Sequence, residues 1–189
     1  MTVARTQRSG QRQYRFFALA VLGVPMAAID STIVAVGLPD RERGFNAPLH
    51  WVSWTLTAYS LVQIIMLPIV GKLSDTLGRK RVFLCCLGIF TLDSFLCALS
   101  PSIGWLIAFR ALQALGGGGL MPSAVGIVSD QFADRRPQAL GILTSVFPIG
   151  GIIGPNLGGY LLANFGWRSL FLIDVPIGIS VLAGEVGDD

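Results

Sequence analysis

Six apolar stretches occupy most of this chain, at roughly 16–38, 51–71, 82–99, 104–128, 137–162 and 169–183, and the charges are crowded into the gaps between them. A hydrocarbon core of about 30 Å is crossed by about 20 helical residues at 1.5 Å each. The first five stretches meet that length, 82–99 near its lower limit. The sixth reaches only about 22 Å at the same rise. Lipid offers no hydrogen bonds to a peptide backbone, so stretches of this length are expected to be helices. Barrel strands would be about ten residues long with alternating polarity, and no such alternation is present. The expected fold is an all-α membrane protein, a transmembrane bundle of six helices.

Composition agrees with that class. Charged residues make up 13% of the chain, about half the soluble average of roughly 25%, too few to clothe a water-facing surface. The net charge of +3 does not point to nucleic acid, because no solvated basic face with interleaved aromatics exists. Cys85, Cys86 and Cys97 fall in one apolar run without metal-ligand spacing and read as small buried or lipid-facing residues. The only histidine, His50, precedes Trp51 at an expected membrane interface. There is no Ser–His–Asp set, metal cluster or nucleotide loop, so the chain does not read as an enzyme and calls for no cofactor or metal. The glycine run Gly116–Gly119 lacks the Lys-Ser/Thr of a phosphate loop and lies within an apolar span.

Loop charges set the expected orientation. Lys and Arg number four in the N-terminal tail, four in 72–81 and two in 129–136, ten in all. The alternate loops hold two in 39–50, none in 100–103 and one in 163–168, three in all. This bias places the N-terminus in the cytoplasm, with 1–15 as a basic tail, 16–183 as the bundle and 184–189 as a short acidic end. The first stretch exceeds a cleavable signal segment in length and carries Asp30, so it reads as a retained helix. The "GEVGDD" end puts Glu185, Asp188 and Asp189 where Lys or Arg is favoured, and the sixth helix reads as one cut short.

The segment "GKLSDTLGRKR" carries the densest charge. Arg79, Lys80 and Arg81 open the third helix, where the dipole disfavours cations by about 0.3–1 kcal/mol. Anionic headgroups attract each by about 1 kcal/mol, which wins. Asp75 is placed to cap the next helix or to meet a loop arginine, and Gly71 and Gly78 are expected to close a short turn. The segment has an echo 88 residues on. "GKLSDTLGRKRVF" at 71 aligns with "GYLLANFGWRSLF" at 159, matching Gly71 with Gly159, Leu73 with Leu161, Gly78 with Gly166, Lys80 with Arg168 and Phe83 with Phe171. The shift spans three helices, so the copies lie on opposite membrane sides. Two inverted three-helix repeats are a mark of secondary transporters.

Two further patterns point to function. Gly150, Gly154 and Gly158 recur every four residues and form one helix face for close packing. Pro155 removes a donor and crowds the carbonyl of Gly151, so a bend is expected, either as ordinary packing or as a hinge between transport states. Charges inside the spans are costly, about 2.5–3.5 kcal/mol at a helix centre, and mark polar cavities or pairs. Asp30 lies about 12 Å from the outer end of its helix, and Asp93, Arg110 and Asp174 about 9 Å from theirs, so all four share one layer. Arg110 and Gln113, at i and i+3, form a polar stripe. Either a static ion pair or a site tuning a carboxylate's proton affinity would account for Arg110.

These motifs resemble those of the major facilitator superfamily. "GKLSDTLGRKR" is similar to its loop between helices two and three, "RALQALGGGG" (Arg110–Gly119) to its fourth-helix motif, and "GGIIGPNLGG" (Gly150–Gly159) to the fifth-helix motif of its antiporters. "AIDSTIVAVGLP" and "WRSLFLIDVPIG" resemble the first and sixth helices of its fourteen-spanner drug:proton antiporters. The departures are Ala114, where the family often has Gly, and Asp174, where it often has Asn. The resemblance spans Phe16 to Gly178. It implies the N-terminal half of an exporter of drugs or small metabolites, driven by the proton gradient across the cell membrane. It also implies a central cavity beside helices one and four. There Asp30, Arg110 and Gln113 would couple protons, with Asp93 and Asp174 nearer the periphery. Gly71, Asp75, Gly78, Arg79, Lys80 and Arg81 would form the conformational-switch loop, and Gly150, Gly154, Pro155, Gly158 and Gly159 the antiporter motif. The implied partners are an amphipathic substrate, the lipid bilayer and the missing C-terminal half. The other readings are a homodimeric half-transporter and a non-transporting scaffold or remnant.

Overall fold

The computed structural model describes residues 21–132 and 135–186. The basic tail 1–15, the start of the first span and the final Asp188 and Asp189 lie outside the described residues. The side chain of Glu185 lies outside them too. The chain is all helical there, with no strand among the described residues. Eight helices follow in order: α1 Val21–Val36, α2 Leu38–Phe45, α3 Leu49–Leu77, α4 Arg79–Ala98, α5 Ile103–Gln131, α6 Arg136–Phe165, α7 Ser169–Leu172 and α8 Asp174–Val186. By length and composition α3, α4, α5 and α6 can each cross a membrane, and α1 with α2 can count as a fifth, bent span. Together α7 and α8 form the short sixth.

The observed boundaries depart from those expected in three places. Residues 72–81 are not an open loop. Helix α3 runs on to Leu77, α4 begins at Arg79, and Gly78 alone separates them, at φ 96° and ψ 126°. A helix does not stop where its apolar residues stop. Its i→i−4 bonds continue into the headgroup region, and only a residue free of a Cβ turns the chain there. Gly71 is therefore an ordinary helical residue with nothing within 4 Å of its missing side chain. The second departure is 38–45, read as loop, which folds as α2, bent 60° from α1. Pro39 sits in the first turn of α2, where its missing N–H costs nothing, and Asn46 ends it at φ 48°. The third is the sixth span, divided at Ile173, although that residue keeps helical angles. Pro176 supplies the reason, since it lacks the N–H that would bond to Leu172.

Helix α5 is the centre of the bundle, wedged between α3 and α4. The glycine run makes this possible. A Cβ at Gly116 would meet the backbone of Cys86 and Phe90 on α4, and one at Gly118 would stand 2.9 Å from the Gln63 carbonyl on α3. Each helical glycine costs about 1 kcal/mol against alanine, offset here by backbone contact on two sides. The Gly150–Gly154–Gly158 face packs on α1, against Ala28, Thr32 and Ile33 in turn. Helix α6 passes Pro148 and Pro155 as one uninterrupted element.

The internal echo is visible in the backbone. Gly78 and Gly166 are the only glycines of positive φ among the described residues, each directly after a helix of 29 or 30 residues. They occupy matched positions in the two repeats, and Lys80 and Arg168 follow at the same offset.

Candidate functional site

Asp30 on α1 and Arg110 on α5 are both fully buried and meet at 2.7 Å. Arg110 Nη1 donates to both Asp30 oxygens, at 2.9 and 2.7 Å, and to Gln113 Oε1 at 2.6 Å. The guanidinium lies 4.0 Å from the centroid of the Tyr59 ring on α3 and its Nε reaches the Thr55 carbonyl at 3.5 Å. Asp30, Arg110 and Gln113, grouped from sequence, thus share one contact network. Pairing and cation–π contact compensate a charge that burial alone would penalise by several kcal/mol.

The network extends further than the sequence indicated. Gln113 Nε2 donates to Ser94 Oγ on α4 at 2.5 Å, and Ser94 Oγ stands 3.5 Å from Asp174 Oδ2 at the start of α8. Asp174, expected near the periphery, is fully buried within the bundle. The correction has a packing cause, because α7 and α8 both lie against α4 and bring the start of α8 to Ser94. Asp93, one residue before Ser94, points elsewhere on α4 and enters none of these hydrogen bonds.

A second buried cation went unrecognised among the loop charges. Arg41 on α2 is fully buried. It donates to the carbonyls of Val34 and Gly37 and reaches Thr55 Oγ1 at 3.5 Å. Its guanidinium and that of Arg110 lie 5.9 and 5.7 Å from the Phe171 ring centroid. Nothing in local sequence distinguishes Arg41 from Arg43, which is exposed and pairs loosely with Asp40.

An apolar cavity of about 470 Å³ lies between α1, α3, α5 and α6, bordered by Val24, Ala27, Gln63, Gly117, Thr144 and Phe147. It adjoins the buried pair through three helices. Ala27 is three residues from Asp30, Gly117 four from Gln113 and Gln63 four from Tyr59, so each is one helical turn away. A volume of this order suits a small molecule.

The switch segment forms a separate polar site. Arg79 pairs with Asp75 at 3.1 Å and with Asp130 on α5 at 3.2 Å, and Nη1 donates to the Gly126 carbonyl at 2.6 Å. Asp75 therefore meets an arginine and does not cap α4. Asp130 was missed because it reads as part of a polar connection, whereas α5 carries it to Gln131. Ser74, Gly78 and Lys80 line a cavity of about 570 Å³ beside this triad, and Arg81 is exposed. Gly159 and Pro155 are exposed on α6, about 100° round the helix from Gly158 and Gly154.

Comparison with known proteins agrees with this architecture. The sequence profile of the Major Facilitator Superfamily matches residues 20–184. The chain is 39% identical over 159 residues to the riboflavin transporter RibZ of Clostridioides difficile (strain 630), covering 84% of this chain and 35% of that protein. It is 35% identical over 192 residues to the multidrug resistance protein B homolog of Mycobacterium tuberculosis (strain ATCC 25618 / H37Rv), covering 96% and 36%. The multidrug transporter protein MdtP of Bacillus subtilis (strain 168) is 34% identical over 178 residues, covering 93% and 33%. The chain thus spans about a third of the length of these relatives. In fold it is similar to a bacterial homolog of the human lysosomal transporter Spinster in an inward-facing, occupied conformation. The TM-score is 0.77 at 22% identity, over 92% of this chain and 44% of that one. Family, fold and multi-pass helices agree, and the chain belongs to the major facilitator superfamily, a family of transporters.

Proposed function

We propose that this chain is the N-terminal bundle of a proton-coupled exporter of amphipathic drugs or small metabolites, working by alternating access in the cell membrane with its N-terminus in the cytoplasm. The observation that carries the reading is the fully buried Asp30–Arg110 pair one turn from an apolar cavity. Protonation of Asp30 removes the charge that holds Arg110, so a proton and a rearrangement of α1 against α5 are linked. The apolar cavity with the single amide of Gln63 and the hydroxyl of Thr144 suits an amphipathic substrate. Relatives named for multidrug resistance and riboflavin transport support the substrate class.

The energy source is the proton gradient itself. The bundle is half of the machine, because alternating access needs one bundle to rock against another around a shared site. The apolar residues left exposed on α3 and α6, such as Ile64, Ile65, Ile152 and Tyr160, favour cover by a second bundle. A C-terminal half of the same transporter is the reading preferred here, and a second copy of this chain is the alternative. A non-transporting scaffold is the third reading, and it predicts no export by the intact protein.

Everted vesicles bearing the intact transporter test the function, with ethidium as the amphipathic probe. Export should follow the imposed proton gradient, collapse with a protonophore and be lost in Asp30→Asn. Gradient-independent export, or full export by Asp30→Asn, would overturn the proton-coupled reading.

A further inference from the structure

The buried network holds two carboxyl groups and joins only one of them to a cation. Asp30 takes both of its hydrogen bonds from Arg110 Nη1, with a weaker one from Gln113 Nε2 at 3.4 Å. Asp174 receives only the Ser94 hydroxyl, at the outer limit of hydrogen bonding. Its other oxygen, Oδ1, is buried with no hydrogen-bond partner. Yet Asp174 and Asp30 belong to one buried network, joined through Ser94 and Gln113 by contacts of 3.5, 2.5 and 3.4 Å.

Two ionised carboxylates have no hydrogen to place between them. Arg110 Nη2 and the Tyr59 hydroxyl are buried without hydrogen-bond partners, and neither bonds to Asp174, whose Oδ1 is likewise unpartnered. Ser94 has one hydroxyl hydrogen, given to Asp174 Oδ2, and its oxygen accepts from Gln113. Both hydrogens of Arg110 Nη1 go to Asp30 and Gln113. The other charged or titratable groups around the pair are few. Tyr59 of α3 lies under the guanidinium, and Cys97 of α4 stands 3.9 Å from Gln113 Oε1. Arg41 of α2 bonds to two carbonyls and Thr55 and makes no hydrogen bond to either carboxyl group. The N-terminus of α8 would favour an ionised Asp174 by only about 0.3–1 kcal/mol. That end is not free, since α7 runs into it and Ile173 N already bonds to the Ser169 carbonyl. An isolated buried carboxylate costs more than this dipole returns.

We propose that Asp174 is a second proton-binding group, sharing one proton with Asp30 across the ends of α1 and α8, with Ser94 and Gln113 as positioning residues. The proton resides on Asp174 Oδ1 and bridges to Asp30 while Asp30 keeps its ion pair with Arg110. On transfer the O–H bond of Asp174 breaks, one forms on Asp30, and the negative charge passes to Asp174. That exchange frees Arg110 from α1 without any proton arriving from water at that moment. The role in transport rests on the proton-coupled function above, whereas the shared proton does not.

Infrared spectroscopy of the 189-residue chain in lipid nanodiscs reads the proton without any transport. The wild type at neutral pH should show the carbonyl stretch of one protonated carboxylic acid, shifted in deuterium oxide. Asp174→Asn and Asp30→Asn should each remove it, because a lone carboxyl beside Arg110 ionises. Asp93→Asn should leave it in place. Ser94→Ala, which deletes the hydroxyl donor to Asp174, should move the band to higher wavenumber, and this covers the case in which an Asn variant fails to fold. The inference is overturned by a wild type without the band, or by a band that survives either Asp30→Asn or Asp174→Asn. Loss with Asp93→Asn, or an unshifted band in Ser94→Ala, would also overturn it. If the band behaves as expected but export proves independent of the proton gradient, the transport reading fails and the shared proton stands.

Discussion

Arg110 ties α1, α3 and α5 together and lies against two aromatic rings. Replacing it with alanine leaves Asp30 buried without its cation, a change that typically costs about 3–5 kcal/mol. Arg110→Ala is expected to abolish proton-driven export in vesicles. Lysine should restore it only in part, because one ammonium cannot reproduce the fork that reaches Asp30, Gln113 and Thr55 together. Normal export by Arg110→Ala would reduce the pair to scaffolding. Arg79 should behave differently. Its partners Asp75 and Asp130 are more than 60% exposed, where ion pairs contribute about 0–1 kcal/mol. Asp130→Asn is therefore expected to shift the thermal midpoint little, while Arg79→Ala also loses the Gly126 bond and should shift it more. Equal shifts would mean that the Gly126 contact contributes nothing.

At the scale of elements, two glycines of the same motif have opposite duties. Gly71 is helical with open space around it, and Gly78 turns the chain at φ 96°. Gly71→Ala should leave stability unchanged or raise it by up to about 1 kcal/mol, the helix-propensity gain. Gly78→Ala forces a Cβ into a sparsely populated region and should lower stability by about 1–3 kcal/mol. Thermal unfolding in one detergent compares the two, and the reverse order would contradict the assigned helix ends. Reading a turn at Gly78 needed only the motif. Reading its absence at Gly71 needed the knowledge that α3 outlasts its apolar stretch by six residues. The sixth span shows the same limit, because Pro176 announces an interruption but not that α7 and α8 both pack on α4.

Across the whole molecule, the ten-to-three distribution of loop cations predicts which end faces the cytoplasm. In a cysteine-free background, Asn46→Cys should react with an impermeant thiol reagent added outside intact cells, and Thr76→Cys should not; both positions are exposed. The opposite pattern would invert the orientation. The broad exposed faces of α3 and α6 lead to a second expectation. Placed alone in proteoliposomes, the 189-residue chain should move no ethidium in response to a proton gradient. Gradient-driven movement by the chain alone would favour the homodimeric alternative.

Sequence alone determined the class and the long apolar helices, because these follow from the bilayer's thickness and the cost of an unsatisfied backbone. The Asp30–Arg110–Gln113 group came from the resemblance to the major facilitator superfamily, which sets helices one and four beside one cavity, while spacing alone gave the Arg110–Gln113 stripe. Tertiary structure decided which carboxylates and cations join that group. Asp174 entered the network and Asp93 did not, and Arg41 moved from a loop into the core. The reason is geometric. Depth along a helix is linear in sequence, but the direction a side chain faces depends on the bend at Gly37, on the packing of α7 and α8 against α4, and on how closely the glycine faces of α5 and α6 let their neighbours approach. Those quantities arise only when the helices pack.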